Sequence, residues 1–219
     1  MDRHVELISV MGDDLTIVNA ARVSYNKKSD LMSEADEKLI GFLAKNSHGT
    51  PFEHVVFTFR VHAPIAVARE WMRHRIGSFN EVSTRYVEVE KVGYVPELDD
   101  VRKQIGKPGQ YMFEPLEIEA AQDVADIIAE AYTDAYGWYE ELLDRGVAKE
   151  LARNVLPLGT YTEFYWTVNL RSLTNFLSTR AHPAALAEIQ ALAHEVEKIV
   201  TARVPVAMAA WEEGGRRPL

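Results

Sequence analysis

Apolar side chains at every second position pick out the strands of this chain. The clearest alternation runs from Val55 to His62, which predicts a strand with one apolar face. Val5 to Val10 shows a shorter strand pattern. Tyr161 to Val168 is rich in aromatic and β-branched residues, which strands favour. Three strands in a chain of 219 residues predict a small sheet.

Apolar residues at helical spacing predict the remaining elements. Ser33, with Asp36 three residues later, is predicted to cap one helix at its start, and Gly146 to cap another at its end. Pro64 suits the first position of a helix. The predicted helices are Asp13 to Arg22, Ser33 to Asn46, Pro64 to His74, Leu116 to Arg145, Ala148 to Val155, Leu170 to Arg180 and Ala184 to Val204.

Val92 to Gly109 is long, polar and interrupted by prolines and glycines, so we expect a loop there. Ordered loops of that length are often functional. We keep open that the segment Lys91 to Met112 becomes ordered only when ligands bind.

These patterns predict an α+β fold, with a small, mostly antiparallel sheet and several long helices. No repeat or shift in composition divides the chain, so we expect one domain over residues 1–219. The long apolar helices suggest additional burial against other subunits.

Composition excludes several classes of protein. The longest apolar run, Val204 to Trp211, is far shorter than the roughly twenty residues of a membrane span, and no apolar signal core follows Met1. We therefore expect a cytoplasmic protein that binds no membrane. The chain has no Cys, which excludes disulfides, thiolate metal sites and a thiol nucleophile. Its net charge of −9 argues against a nucleic-acid partner.

Positive charge is nevertheless concentrated in one segment. Arginine forks bind phosphate oxygens in pairs, and hydroxyl groups can complete such a site, so this segment suggests a phosphorylated small ligand. The alternative is a solvated helix face with ion pairs to Glu70 and Glu81. The segment contains Arg69, Arg73, His74, Arg75 and Arg85, with Ser78, Asn80, Ser83 and Thr84 among them.

A second polar group follows the last predicted strand. Arg171 and Asn175 lie one helical turn apart and face the same way, with Asn169 before them and Arg180 after them. The alternative is a helix cap at Asn169 with ordinary surface arginines.

His48 and His54 match no standard metal spacing, so we predict no metal site. Glycine-rich dinucleotide and phosphate fingerprints are absent, so any flavin or nicotinamide must bind in another way.

The stretch from Arg73 to Tyr86 resembles the signature of the flavin-dependent thymidylate synthases. That signature is Arg-His-Arg, seven intervening residues and Ser, with Arg-Tyr shortly after, and all of it is present here at the right spacing. The resemblance also runs through Ala21 to Tyr25, His48 to His54 and Asn169 to Arg180, so it covers nearly the whole chain.

The resemblance implies an enzyme that methylates dUMP at C5 to give dTMP. The family uses FAD, NADPH to reduce the flavin, and methylenetetrahydrofolate as the carbon donor. It also implies a homotetramer with active sites at subunit interfaces. The absence of Cys fits this route, because the unrelated cysteine-dependent enzymes need a thiolate and the flavin route needs no enzyme nucleophile.

The resemblance also assigns roles to individual residues. Arg180 matches the active-site arginine that polarises the uracil ring, which makes it the predicted catalytic residue. Arg85 and Arg153 would hold the phosphate, and Ser83 is interpreted as a ligand of the nucleotide, not as a nucleophile. The flavin contacts would be Ser24, His48, Thr50, Arg73, His74, Arg75, Glu81, Asn169, Arg171 and Asn175. The nucleotide contacts would be Glu70, Arg73, Glu81, Ser83, Thr84, Arg85, Arg153 and Arg180.

Two positions depart from the family pattern. Glu70 stands where relatives carry Gln, and an ionised carboxylate would repel a nearby phosphate unless Arg69 or Arg73 pairs with it. Leu186 and Ala187 stand where relatives often have Gln-Trp. Glu70 motivates one alternative, an enzyme of this family that acts on another pyrimidine nucleotide or adds another one-carbon group. The second alternative is a non-catalytic nucleotide- or RNA-binding protein on the same scaffold.

Overall fold

The structure is a computed structural model that describes residues 3–107 and 110–219. The chain divides into two compact units. The hairpin unit contains Pro64–Ala66 and Val82–Thr162, and the sheet unit contains residues 3–63, Val67–Glu81 and Glu163–Leu219. The single domain over residues 1–219 stays a prediction.

Strands form a small sheet and a separate hairpin. In the sheet the strand order is β1-β2-β6-β3, and the hairpin pairs β4 with β5. β1 runs antiparallel to β2, from His4 opposite His62 to Met11 opposite Val56, and β3 runs antiparallel to β6. The strands are β1 His4–Met11, β2 Val56–Pro64, β3 Ser78–Glu81, β4 Arg102–Lys107, β5 Gln110–Pro115 and β6 Tyr161–Asn169.

The β4–β5 hairpin corrects the prediction of a loop from Val92 to Gly109. The two strands are antiparallel, from Arg102 opposite Pro115 to Lys107 opposite Gln110. Every residue of β5 is exposed, so no buried face produces the alternation that would reveal a strand. Pro108 and Gly109, which belong to the predicted loop, lie outside the described residues. A ligand-dependent ordering of Lys91 to Met112 stays a prediction.

The helices largely follow the predicted positions, and the α+β class is confirmed. Ser33 and Asp36 form a reciprocal capping box at the start of α2. Gly146 adopts a φ of 79°, as its position after a helix predicts. The helices are α1 Asp14–Arg22, α2 Glu34–Lys45, α3 Ile65–Trp71, α4 Ile118–Asp144, α5 Lys149–Ala152, α6 Leu170–Arg180, α7 Ala187–Thr201 and α8 Pro205–Glu213, with short 3₁₀ turns at Val23–Tyr25, Thr50–His54 and Arg153–Val155.

Two helix boundaries differ from the prediction for local reasons. The helix predicted from Pro64 to His74 is shorter, because Pro64 still belongs to β2 and α3 ends at Trp71. The helix predicted to run to Val204 ends at Thr201, and α8 starts anew at Pro205. The buried Asp14 carboxylate accepts the N–H groups of Val206 and Ala207 at 3.0 and 2.9 Å, which caps this new helix.

An aromatic core in the sheet unit fixes the ends of α3 and α6 against the sheet. The Trp71 ring lies 4.4 Å from Phe176 and 5.2 Å from Trp166, all three fully buried. His74 follows α3 and packs edge-on against Phe176 at 5.1 Å. The core therefore holds the turn after α3 beside α6.

Within the described ranges, no helix is long and apolar enough to cross a membrane.

Candidate active site

A cavity of about 1120 Å³ opens in the sheet unit between the turn after α3, the start of α6 and the last residues of the chain. We call it the arginine cavity. It brings together Arg73, His74, Arg75 and the α6 residues that the sequence singled out. Its lining residues are Ser47, Glu53, Glu70, Arg73, His74, Arg75, Ile76, Asn169, Arg171, Ser172, Asn175, Thr179, Arg180, Pro218 and Leu219.

Arg180, the last residue of α6, is held in place by the end of α3. Its Nη1 donates to the Glu70 carboxylate at 3.0 Å, and its Nη2 donates to the Glu70 carbonyl at 3.1 Å. Its Nε donates to Nε2 of His74 at 3.1 Å. A guanidinium has five N–H groups. These three contacts leave two for a ligand in the cavity.

The same contact determines the state of His74. Because its Nε2 accepts a hydrogen bond, the ring is neutral and carries its proton on Nδ1. Burial, and then the positive charge of Arg180, lower the pKa of His74 to about 4. His74 is therefore uncharged at neutral pH, and Arg180 supplies the positive charge at this wall of the cavity.

The start of α6 presents a second polar group. The Asn169 side chain caps the helix by accepting the Ser172 N–H at 2.9 Å. The alternative of a helix cap at Asn169 is thus part of the structure, yet Asn169, Arg171 and Asn175 also line the cavity. The helix cap is therefore present, and the role of this group in binding a ligand stays a prediction.

Arg171 is fixed by contacts on several sides. Its Nη1 pairs with the Glu53 carboxylate at 2.6 Å, and its Nε donates to the main-chain oxygen of Leu219 at 3.1 Å. A Cβ at Gly49 would overlap the Arg171 side chain, with only 2.9 Å to Cδ. Glycine at position 49 therefore allows the guanidinium to lie against the backbone.

The Arg-His-Arg segment forms the turn between α3 and β3. Arg73 and Arg75 are exposed and line the cavity with Ile76, which is 72% exposed. With Arg171 and Arg180, four arginines face the cavity against two carboxylates, Glu53 and Glu70. This excess of positive charge suits a ligand with several phosphate groups.

Glu70 pairs with a residue that the sequence analysis did not name as its partner. The sequence raised pairing with Arg69 or Arg73 only as a condition for avoiding repulsion of a phosphate, and the structure shows Glu70 paired with Arg180. Glu70 and Arg180 lie 110 positions apart, so no local spacing links them.

Four predicted flavin contacts of the sheet unit are not among the cavity's lining residues. Ser24 lies exposed in the Val23–Tyr25 turn, and His48 lies exposed with its ring edge-on to Phe42 at 5.7 Å. Thr50 begins the Thr50–His54 turn, next to Gly49. Glu81 ends β3, opposite Phe164. Their roles stay predictions.

The predicted phosphate residues gather in the hairpin unit. Arg153 Nη1 donates to the Thr84 hydroxyl at 2.9 Å, so residues far apart in sequence meet there. Arg85 donates to the Tyr86 hydroxyl at 2.7 Å and lies 5.1 Å from its ring centroid. The Ser83 carbonyl accepts the Tyr86 N–H at 2.9 Å, which forms a turn around these groups.

Sequence reasoning missed several lining residues. Glu53 stands between His48 and His54, but the sequence analysis gave it no role, and in the structure it pairs with Arg171. Pro218 and Leu219 carry no chemical signal in sequence.

Within the described residues, no group of three or more His, Asp or Glu side chains could hold a metal ion. Leu186 precedes α7, where its carbonyl accepts the Gln190 N–H at 3.0 Å.

Comparison with known proteins identifies the family of this chain. The model of the family described as thymidylate synthase complementing protein matches residues 6–206. A flavin-dependent thymidylate synthase of Thermosipho africanus is 48% identical over 201 residues, covering 92% of this chain and 87% of the relative. One from Thermus thermophilus is 46% identical over 209 residues, covering 95% of this chain and 75% of the relative.

A solved structure is similar over the full length. The UMP/dUMP methylase PolB from Streptomyces cacaoi, bound with 5-Br UMP, has a TM-score of 0.92 at 39% identity and covers 100% of this chain and 97% of its own. Its complex with 5-Br dUMP gives a TM-score of 0.93. The family that the signature predicted is therefore confirmed, and this chain belongs to the thymidylate synthase complementing protein family, with the flavin-dependent thymidylate synthases as its relatives.

Proposed function

We propose that this chain is a flavin-dependent thymidylate synthase, which converts dUMP to dTMP by methylation at C5. FAD reduced by NADPH supplies the hydride, and methylenetetrahydrofolate supplies the carbon. The observation that supports this most directly is Arg180, held between Glu70 and His74 at the wall of an arginine-lined cavity.

The arginine cavity fits FAD in size and in charge. At about 1120 Å³ it lies slightly above the roughly 300–1,000 Å³ of ordinary ligand pockets, which suits a large dinucleotide. Arg73, Arg75 and Arg171 would hold the diphosphate, and Asn169 and Asn175 offer amide groups for hydrogen bonds. Bound there, FAD would supply the redox chemistry, while the protein supplies binding, orientation and charge.

Arg180 is the residue we assign to catalysis. Its two remaining N–H groups would donate to the uracil and stabilise negative charge as it develops on the ring. The neutral His74 keeps Arg180 oriented without adding a second charge. The chain has no Cys, so methylation proceeds without an enzyme thiolate.

For the phosphate of dUMP we propose Arg85 and Arg153, with Ser83 and Thr84. Arg153 and Thr84 already form one hydrogen-bonded group in the hairpin unit, which supports a shared role. The flavin roles of Ser24, His48, Thr50 and Glu81 rest on the signature match alone.

We also propose the folate co-substrate and a homotetramer with active sites at subunit interfaces. Ile127 and Trp138 on α4 are 65% and 60% exposed, which supports further burial of this helix between copies. A cytoplasmic location stays a prediction.

An absorbance spectrum followed anaerobically tests the proposal. Purified protein should show a flavin band that bleaches with NADPH, and bleaches faster when dUMP is present. Adding methylenetetrahydrofolate should then give dTMP, identified by its mass. A colourless protein that cannot be reconstituted with FAD would overturn the proposal and favour the nucleotide-binding alternative.

A second candidate reaction is methylation of UMP. The similar solved structure belongs to a methylase named for both UMP and dUMP, and it is 39% identical over the full length of this chain. Parallel reactions with UMP and dUMP, followed by product mass, separate the two substrates. Turnover of UMP at a comparable rate would extend the proposed function to ribonucleotides.

A further inference from the structure

The chain ends in a short segment, residues 214–219, which we call the tail. The tail lies beyond residues 6–206, which the family model matches. We propose that the tail is a wall of the arginine cavity and positions Arg171 for the flavin. This inference rests on the proposed function, because it takes FAD as the ligand of that cavity.

The tail turns back sharply after α8. Gly215 and Arg216 both adopt positive φ, 75° and 58°, which reverses the chain direction. The Arg216 N–H donates to the Trp211 carbonyl at 3.0 Å, and the Gly215 N–H donates to the Glu212 carbonyl at 2.9 Å. The turn therefore directs the following residues toward α6.

Arg216 anchors the tail to three helices of the sheet unit. Its guanidinium makes two bonds of 2.6 Å to the Glu197 carboxylate on α7, and it lies 4.3 Å from the Trp211 ring centroid. Its carbonyl accepts the Ser178 hydroxyl of α6 at 2.6 Å. A loose terminal segment would not hold this many directed contacts.

The last two residues reach the cavity itself. Pro218 and Leu219 line it, and Leu219 is only 5% exposed. The Leu219 N–H donates to the Thr174 hydroxyl at 3.3 Å, and its main-chain oxygen accepts the Nε–H of Arg171 at 3.1 Å. The tail thus ends on the side chain that the flavin would contact.

These contacts fix the Arg171 guanidinium before any ligand arrives. The Nε of Arg171 donates to Leu219, and its Nη1 donates to Glu53. The backbone of Gly49 lies against the same side chain. Arginine otherwise loses rotamer freedom on binding, which weakens affinity. A guanidinium held in advance avoids that loss, so the tail should strengthen FAD binding through Arg171.

A double-mutant cycle tests whether the tail acts through Arg171. The dissociation constant of FAD is measured by flavin fluorescence on apoprotein, with and without deletion of Pro218 and Leu219, in the wild-type and in the Arg171→Ala background. We expect the deletion to weaken FAD about five- to tenfold in the wild-type background, the scale of one hydrogen bond. In the Arg171→Ala background we expect less than a twofold change.

A matched pair of variants protects the test against a general loss of folding. Arg216→Ala releases the anchor and removes one charge, and Arg217→Ala removes one charge from an exposed neighbour. With circular dichroism showing both folded, Arg216→Ala should weaken FAD several-fold, and Arg217→Ala should bind FAD as the wild type does.

The outcomes separate this inference from the proposed function. A wild-type protein that binds no FAD overturns the proposed function. A wild-type protein that binds FAD, with tail variants that bind it equally well, overturns the role of the tail alone. Equal weakening by the deletion in both backgrounds shows that the tail does not act through Arg171, and so also overturns the inference.

Discussion

Replacing Glu70 tests how Arg180 is held in place. Glu70→Ala removes the carboxylate that accepts from Arg180 Nη1 and leaves two contacts, the Glu70 carbonyl at Nη2 and His74 at Nε. Glu70→Gln removes the charge but keeps an oxygen at the same distance from the backbone. The two variants therefore separate the loss of charge from the loss of orientation.

The expected cost follows from the exposure of the pair. The Arg180 side chain is 19% exposed and that of Glu70 is 38% exposed, so the pair is neither fully buried nor fully solvated. Exposed pairs contribute about 0–1 kcal/mol, and breaking a buried pair costs about 3–5 kcal/mol. We expect Glu70→Ala to lower the free energy of unfolding by about 1–2 kcal/mol, and Glu70→Gln by less than about 1 kcal/mol.

The effect on catalysis should appear in kcat. In the proposed mechanism Arg180 stabilises charge that develops only in the transition state, so misalignment should lower kcat more than it raises KM for dUMP. We expect kcat for dTMP formation to fall roughly tenfold in Glu70→Ala, the cost of a small misplacement, and to recover mostly in Glu70→Gln. Urea unfolding and initial rates measured on the same preparations give both quantities.

Asp30→Ala is the control, because Asp30 is 90% exposed and pairs with Lys28, itself 78% exposed, at 3.4 Å. Asp30→Ala should change neither the free energy of unfolding nor kcat measurably. Wild-type kcat in Glu70→Ala, with unfolding unchanged within about 0.5 kcal/mol, would show that Arg180 does not depend on Glu70. A Gln variant as slow as the Ala variant would assign the effect to charge instead of orientation.

Four further outcomes are expected. Arg180→Ala should suppress dTMP formation while flavin absorbance persists, and wild-type turnover would remove Arg180 from the mechanism. Arg85→Ala should weaken dUMP binding by about 1.5–3 kcal/mol, the scale of a hydrogen bond to a charged group, and calorimetry would contradict this by finding unchanged affinity. Gly49→Ala should displace Arg171 and weaken FAD several-fold in a fluorescence titration, with Gly41→Ala, which has open space around it, as the unaffected control. Because the pKa of His74 is about 4 when folded and 6.5 in an unfolded chain, the free energy of unfolding should fall by about 1–3 kcal/mol between pH 6.5 and 4, and His74→Asn should lose this part of the pH dependence.

Local patterns predicted the elements that have one buried and one exposed face. α6 has the predicted bounds, Leu170 to Arg180, because its apolar residues repeat at helical spacing and Asn169 caps it. β2 and β6 were also predicted, since one face of each is buried in the core. Where a strand has both faces exposed, as in β5, the sequence contains no such periodicity and the strand was missed.

Short elements were lost for a related reason. β3 has four residues, and Phe79 is the one that packs on the core. Because β3 lies within the signature stretch, its residues were interpreted for their chemistry, and no strand was predicted there. The β3 strand is nevertheless what carries the signature from the Arg-His-Arg turn onto the sheet, since Ser78 pairs with Thr167 of β6.

In the candidate site, too, some features could be predicted from local sequence and others could not. Motif spacing singled out Arg73, His74 and Arg180, and the structure brings these three residues together in one cavity. Motif spacing could not identify what orients them, since that depends on contacts across more than 40 positions, such as Arg180 with Glu70 or Arg171 with Leu219. Glu70 shows the consequence. From sequence its carboxylate was a charge that could repel the nucleotide phosphate, and in the fold it is the acceptor that holds the Arg180 guanidinium. The position where this chain departs from the family's Gln therefore concerns the orientation of Arg180 first, and nucleotide specificity only through it.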